Sequence, residues 1–127
     1  MIDHILFYSS DYEKAISFYD AVLPALGHTR LFQMSDADSR KSGYGKSSPQ
    51  VWIAEGETGS ATLHIAFRAD SEDAVKKFYE NALAAGGSDN GKPGYRPEYY
   101  AGYFAAFVTD TDGNNIEAVF HAPLFPH

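Results

Sequence analysis

The chain has no cysteine, which excludes disulfides, thiolate metal sites and a cysteine nucleophile. Basic residues are in the minority. Ten Lys and Arg against 17 Asp and Glu leave a net charge of -7, which disfavours phosphate backbones and anionic lipid. No apolar run approaches the roughly 20 residues needed to span a bilayer. No phosphate-cradling glycine loop and no Ser/His/Asp nucleophile motif is evident. Met1-Ile2-Asp3-His4 lacks the basic start and apolar core of a signal peptide. These absences set the expectation of a cytoplasmic protein without nucleic-acid or membrane partners. What remains compatible is a cation or a small ligand. The 127 residues are 44% hydrophobic and 15% aromatic, enough for a sizeable core in a single domain spanning 1–127.

The chain reads as one unit written twice. Residues 2–8 alternate as a strand, with Ile5 and Phe7 on one face and His4, Leu6 and Tyr8 on the other. Ser10-Asp11-Tyr12-Glu13 reads as a Ser-x-x-Glu capping box. The helix it opens carries Tyr12, Ala15, Ile16, Tyr19, Val22, Leu23 and Leu26 at helical spacing. Pro24 weakens its last turn and Gly27 closes it. Strands are expected at 28–33, 44–46 and 50–54, with a polar loop at 34–43. The glycine-bearing linker at 55–60 separates module one, 1–55, from module two, 61–121. Residues 62–87 then repeat residues 2–27 at a constant offset of 60, with His4/His64, Ile5/Ile65, Phe7/Phe67, Phe18/Phe78, Tyr19/Tyr79 and Gly27/Gly87 among the identities. Ser10 and Asp70 are the paired helix caps on this reading, and Gly27 and Gly87 the paired stops. The Gly-, Pro- and Tyr-rich stretch 88–102 reads as a long loop or lid. Strands at 103–109 and 115–121 flank an Asp-Gly turn. The tail 122–127 has no clear structure, and His127 in it is terminal.

Three polar residues intrude on apolar strands: His4, His64 and Glu117. A buried imidazole or carboxylate is costly without partners. Taken singly, a strand histidine is more often a satisfied core or rim residue than a ligand. Equivalent positions in two repeats can face each other across a shared cleft, and a metal held by His4, His64 and Glu117 would account for all three intrusions. His28 and His121 are expected at the surface or rim. Arg96 suits a substrate carboxylate or phosphate, or merely faces solvent. Trp52, which falls opposite Glu117 when the last strands of the modules are aligned, joins Arg96, Tyr100 and Tyr103 as the candidate substrate-binding set.

With these residues in place, the chain resembles the vicinal-oxygen-chelate superfamily, which includes glyoxalase I, extradiol dioxygenases, fosfomycin-resistance thiol transferases and bleomycin-resistance proteins. The carriers are the twin βαβββ pattern, the histidine opening each unit, and Asp110-Thr111-Asp112-Gly113-Asn114-Asn115-Ile116-Glu117. That run is similar to the family's Asp-Pro-Asp-Gly-Asn-x-x-Glu hairpin, with Thr111 in place of proline. The Gly-x-Pro-Gly-x-Arg-Pro stretch at 91–97 resembles a glyoxalase-like subgroup. The resemblance implies an α+β fold in which two tandem βαβββ modules form a cupped mixed sheet with helices outside. It implies a divalent metal (Zn, Ni, Mn, Fe or Co), a small-molecule substrate and a homodimer. The activity it implies is a metal-dependent lyase or isomerase of glyoxalase type, with Glu117 as proton acceptor and metal ligand. A non-haem iron extradiol-type dioxygenase or thiol transferase is the alternative, and a non-catalytic drug-binding protein a further one.

Overall fold

The computed structural model describes residues 1–35, 39–59 and 62–124. Residues 36–38 of the expected polar loop, residues 60 and 61 at the expected module boundary, and residues 125–127 with His127 lie outside the described residues. The first unit runs β1 (Ile5–Ser9), α1 (Tyr12–Val22), a 3-10 turn (Leu23–Leu26), β2 (Thr29–Ser35), β3 (Arg40–Gly45) and β4 (Pro49–Glu55). The second runs β5 (His64–Arg68), α2 (Glu72–Ala84), β6 (Ser88–Tyr95), β7 (Tyr103–Thr109) and β8 (Asn115–His121). Each unit builds its own four-stranded mixed sheet, in the orders β1-β4-β3-β2 and β5-β8-β7-β6. In both, the first strand pairs parallel with the last, Leu6 beside Trp52 and Ala66 beside Glu117. This is the α+β, twin βαβββ architecture expected from the repeat. Among the described residues no helix is long and apolar enough to cross a membrane.

Several local expectations shift by a residue or more. The helix caps are Asp11, whose side chain accepts from the Lys14 amide, and Ser71, which accepts from Ala74. The pair Ser10 and Asp70 does not cap; the offset of 60 holds one position further on. Ser10 instead reaches the other module, its hydroxyl donating to Asp112 at 3.1 Å. Pro24 converts the end of α1 into the 3-10 turn, and Gly27 closes it at φ +82°. The equivalent left-handed residue after α2 is Gly86, at φ +100°, rather than Gly87. Gly87 is small for a different reason. A Cβ there would meet Phe18 Cε1 at 2.7 Å and the Thr109 carbonyl oxygen at 3.0 Å. The expected long loop or lid at 88–102 is largely a strand, β6, because its bulges at Gly91 and Gly94 let a Gly- and Pro-rich segment keep pairing with β7. Only 96–102 remains a turn.

The core lies between each sheet and its helix and is continuous across the modules. The apolar stripe of α1, with Phe18 added, packs with Phe7, Tyr44, Val51 and Ile53. Val75, Phe78 and Ala82 of α2 meet Phe104, Ala106, Val108, Ile116 and Ala118 in the same cluster. Phe18 and Phe78, equivalent in the repeat, are both fully buried. A polar tie crosses between the modules inside this core. The Tyr19 hydroxyl donates to Asp110 Oδ2 at 2.5 Å. Asp110 also accepts from the amides of Asp112 and Asn114 and from Asn114 Nδ2, so α1 of the first module holds the Asp-Gly turn of the second. Burial, and then the charge of Asp110, push the Tyr19 phenol well above the ordinary tyrosine range.

Two stability outcomes follow. Tyr19→Phe removes one of the two donors to the buried Asp110 Oδ2, leaving only Asn114 Nδ2, and is expected to cost about 1 kcal/mol in denaturant unfolding at neutral pH. The phenol must be protonated to donate, so this contribution is full below about pH 10 and is lost as the pH rises toward the raised folded value. The wild-type and Tyr19→Phe midpoints therefore converge in alkali. Gly87→Ala forces a methyl against Phe18 and the Thr109 carbonyl and is expected to destabilise by about 1–3 kcal/mol, measured the same way.

Candidate functional site

Alternation along β8 sends Ile116 and Ala118 into the core and Asn115, Glu117, Val119 and His121 to the opposite face. Strand pairing then lays out a row across the second sheet: Ala66, Glu117, Phe107 and Gly91. Glu117 is 2% exposed although it faces away from the helices. A carboxylate so desolvated needs hydrogen-bond partners, and two are present. His64, the first residue of β5, places Nε2 2.8 Å from Glu117 Oε1. A carboxylate only accepts, so Nε2 carries the hydrogen. The Tyr103 hydroxyl donates to the other oxygen, Oε2. Burial, reinforced by the Glu117 bond, raises the Tyr103 phenol above the usual tyrosine range, so at neutral pH it remains a donor.

Around this group lies an aromatic wall. Tyr99 and Tyr100, from the 96–102 turn, meet the Tyr103 ring edge-on at 5.0 and 5.2 Å. Tyr100 stacks on His121 with its hydroxyl 2.7 Å from Nδ1. Arg96 lays its guanidinium over Phe107 at 5.5 Å and donates to the Lys92 carbonyl. Gly91 leaves the room for this, since a Cβ there would lie 2.8 Å from Phe107. Three of the four expected substrate contacts, Arg96, Tyr100 and Tyr103, thus share the neighbourhood of Glu117. His121, half-buried at the rim as expected, joins them. Alternation places Glu117 and His121 on one face; the bond from Tyr103 depends on the hairpin register, which the sequence pattern does not show.

Trp52 lies on the first sheet. Its ring stacks on Phe32, approaches Lys41 and covers Gly43. The register confirms the equivalence with Glu117: Leu6 pairs with Trp52 as Ala66 pairs with Glu117. This face also carries Leu6, Tyr8, Phe32 and Met34, all exposed.

His4 does not meet His64 within the chain. Its Nδ1 pairs with Asp3 at 2.6 Å, and it lines a cavity against residues 65–68 and Asp70 of the second module. Among the described residues, no three His, Asp or Glu side chains converge to hold a metal. His28, expected at the rim, is half-buried in the same cavity. Among the described residues its buried Nδ1 has no partner, and burial, then the Lys46 charge, hold its imidazole below the usual value.

The half-site of His64 and Glu117 fits a divalent cation. An imidazole nitrogen and a carboxylate oxygen are suitable donors. Their 2.8 Å separation is close to the roughly 3 Å between neighbouring ligands at metal–ligand distances of about 2.0–2.2 Å.

Comparison with known proteins agrees with the fold. The family model described as Glyoxalase/Bleomycin resistance protein/Dioxygenase superfamily matches residues 1–118. No curated protein matches. Among solved structures, a glyoxalase/bleomycin resistance protein from Albidiferax ferrireducens T118 is 25% identical, with a TM-score of 0.71, over 93% of this chain and 97% of that one. A mutant fosfomycin resistance protein FosX from Listeria monocytogenes, complexed with Mn(II) and 1S,2S-dihydroxypropylphosphonic acid, is 21% identical, with a TM-score of 0.69, over 98% and 93%. A glyoxalase I mutant from Zea mays is 20% identical, with a TM-score of 0.71, over 93% of this chain and 46% of that one. The latter two are likenesses of fold alone. A model spanning both modules and the strand that carries Glu117 makes this chain a member of the glyoxalase/bleomycin resistance protein/dioxygenase superfamily.

Proposed function

We propose that the chain is a metal-dependent lyase or isomerase of glyoxalase type, acting as a homodimer on a small substrate with two adjacent oxygens. The observation that carries this reading is the Glu117 carboxylate, buried on an otherwise open face with one oxygen on His64. His4 of one copy would complete the set with His64 and Glu117 of the other. Two features support the exchange. His4 pairs with Asp3 rather than joining His64 and Glu117, and the exposed apolar face around Trp52 is of the kind that a second copy covers.

A bound divalent cation would polarise the two substrate oxygens as a Lewis acid. Glu117 would take the proton from the carbon bearing one of these oxygens and return it to the neighbouring carbon. That transfer isomerises the substrate with no net oxidation. Arg96, held over Phe107, would anchor an anionic group of the substrate, while Trp52, Tyr100 and Tyr103 would supply its aromatic walls. One observation favours a second reading. Trp52 occupies the place in the first sheet that Glu117 occupies in the second, leaving three protein donors rather than four. Such a set suits an extradiol-type dioxygenase or a thiol transferase.

Protein purified without chelators is expected to carry a stoichiometric divalent metal and to convert the methylglyoxal–glutathione adduct to its thioester. Glu117→Gln should lower that rate by about 10²–10⁴-fold. Iron together with oxygen consumption on catechols would replace the lyase with the dioxygenase; manganese with thiol-dependent epoxide opening would replace it with the transferase. If no metal copurifies or rebinds, and His64→Ala leaves small-molecule affinity unchanged, the protein is a binder and the enzymatic reading fails.

A further inference from the structure

Glu117 has two oxygens, and only one faces His64. We propose that Tyr103 is a positioning residue that fixes Glu117 as a one-oxygen metal ligand by holding Oε2 through its hydroxyl. This rests on the metal-site reading above and adds to it the residue that orients the carboxylate.

The burden of orientation falls on Tyr103 because the other partner is loosely held. The His64 side chain is 53% exposed, whereas that of Glu117 is 3% exposed. Tyr103 is anchored from several sides. Its carbonyl accepts from the Arg96 amide at 2.8 Å, its backbone pairs with His121, and its ring is wedged among Tyr99, Tyr100 and His121. A phenol fixed in this way gives the carboxylate a permanent donor on Oε2. His64, with its hydrogen on Nδ1 instead, and Glu117 would hold a cation through Nε2 and Oε1, and the Tyr103 bond to Oε2 would need no rearrangement. Keeping Oε2 occupied leaves open coordination positions for substrate oxygens, which the proposed chemistry requires. Tyr103 therefore acts through Glu117, and its aromatic ring alone lines the cup.

The test is Mn(II) titration of the purified protein, following free Mn(II) by electron paramagnetic resonance, with Tyr103→Phe and Tyr99→Phe compared. Tyr99→Phe removes a hydroxyl from the same aromatic cluster and is expected to leave affinity unchanged. Tyr103→Phe is expected to weaken Mn(II) binding about 10–100-fold. The visible spectrum of Co(II)-loaded Tyr103→Phe should also differ from wild type, because the freed oxygen can enter the coordination sphere; loss of packing alone would not alter it. Unchanged affinity with superimposable Co(II) spectra would overturn the positioning role and leave the metal site standing. Wild-type protein that takes up neither ion would overturn both, and shows itself before any substitution is made.

Discussion

A carboxylate taken out of water in the middle of a strand is the constraint around which the second module is arranged. Glu117 faces away from the helices yet is almost wholly buried, so its charge must be met locally. The module meets it with elements distant in sequence. Parallel pairing of β5 with β8 brings His64 to one oxygen, and the β7–β8 hairpin brings Tyr103 to the other. The Asp-Gly turn that sets this hairpin is itself tied by Asp110 to Tyr19 of the first module. A polar site on one face of the sheet thus depends on a hydrogen bond in the core behind it.

The duplication explains the rest of the layout. Each unit covers one face of its sheet with one helix and leaves the other face bare. On the second sheet that face holds Glu117 and the aromatic wall. On the first, Trp52 takes the equivalent place, with Phe32, Leu6, Tyr8 and Met34 around it. One open face has donors and the other has apolar surface.

The architecture was legible because it is written in periodicities. Alternation in β1, β4, β5 and β8 and the helical stripe of α1 all lie where the pattern placed them, and the offset of 60 gave the second module from the first. Caps were harder: Ser10-Asp11 and Asp70-Ser71 each offer two capping residues in a row, and only backbone geometry chooses Asp11 and Ser71. The strand β6 was read as a loop because Gly and Pro weaken strand propensity, while bulges let the segment pair regardless. Of the site, the partnership of His64 and Glu117 was readable from the motif. The bond from Tyr103 was not, since it depends on which residues oppose each other across the hairpin. The separation of His4 from His64 was equally hidden: a repeat shows that two positions are equivalent, not how far apart they lie.

Subunit complementation tests the exchanged site most directly. Chains carrying His4→Ala and His64→Ala are each expected to bind no metal as homodimers. In a mixed dimer, one site draws His4 from the His64→Ala chain and His64 with Glu117 from the His4→Ala chain, and is whole, while the other site carries both substitutions. The mixed dimer, isolated by separate affinity tags, should therefore bind half the wild-type complement of metal. A mixed dimer that binds none, beside a wild-type protein that binds fully, would place both histidines within one chain and contradict the exchange.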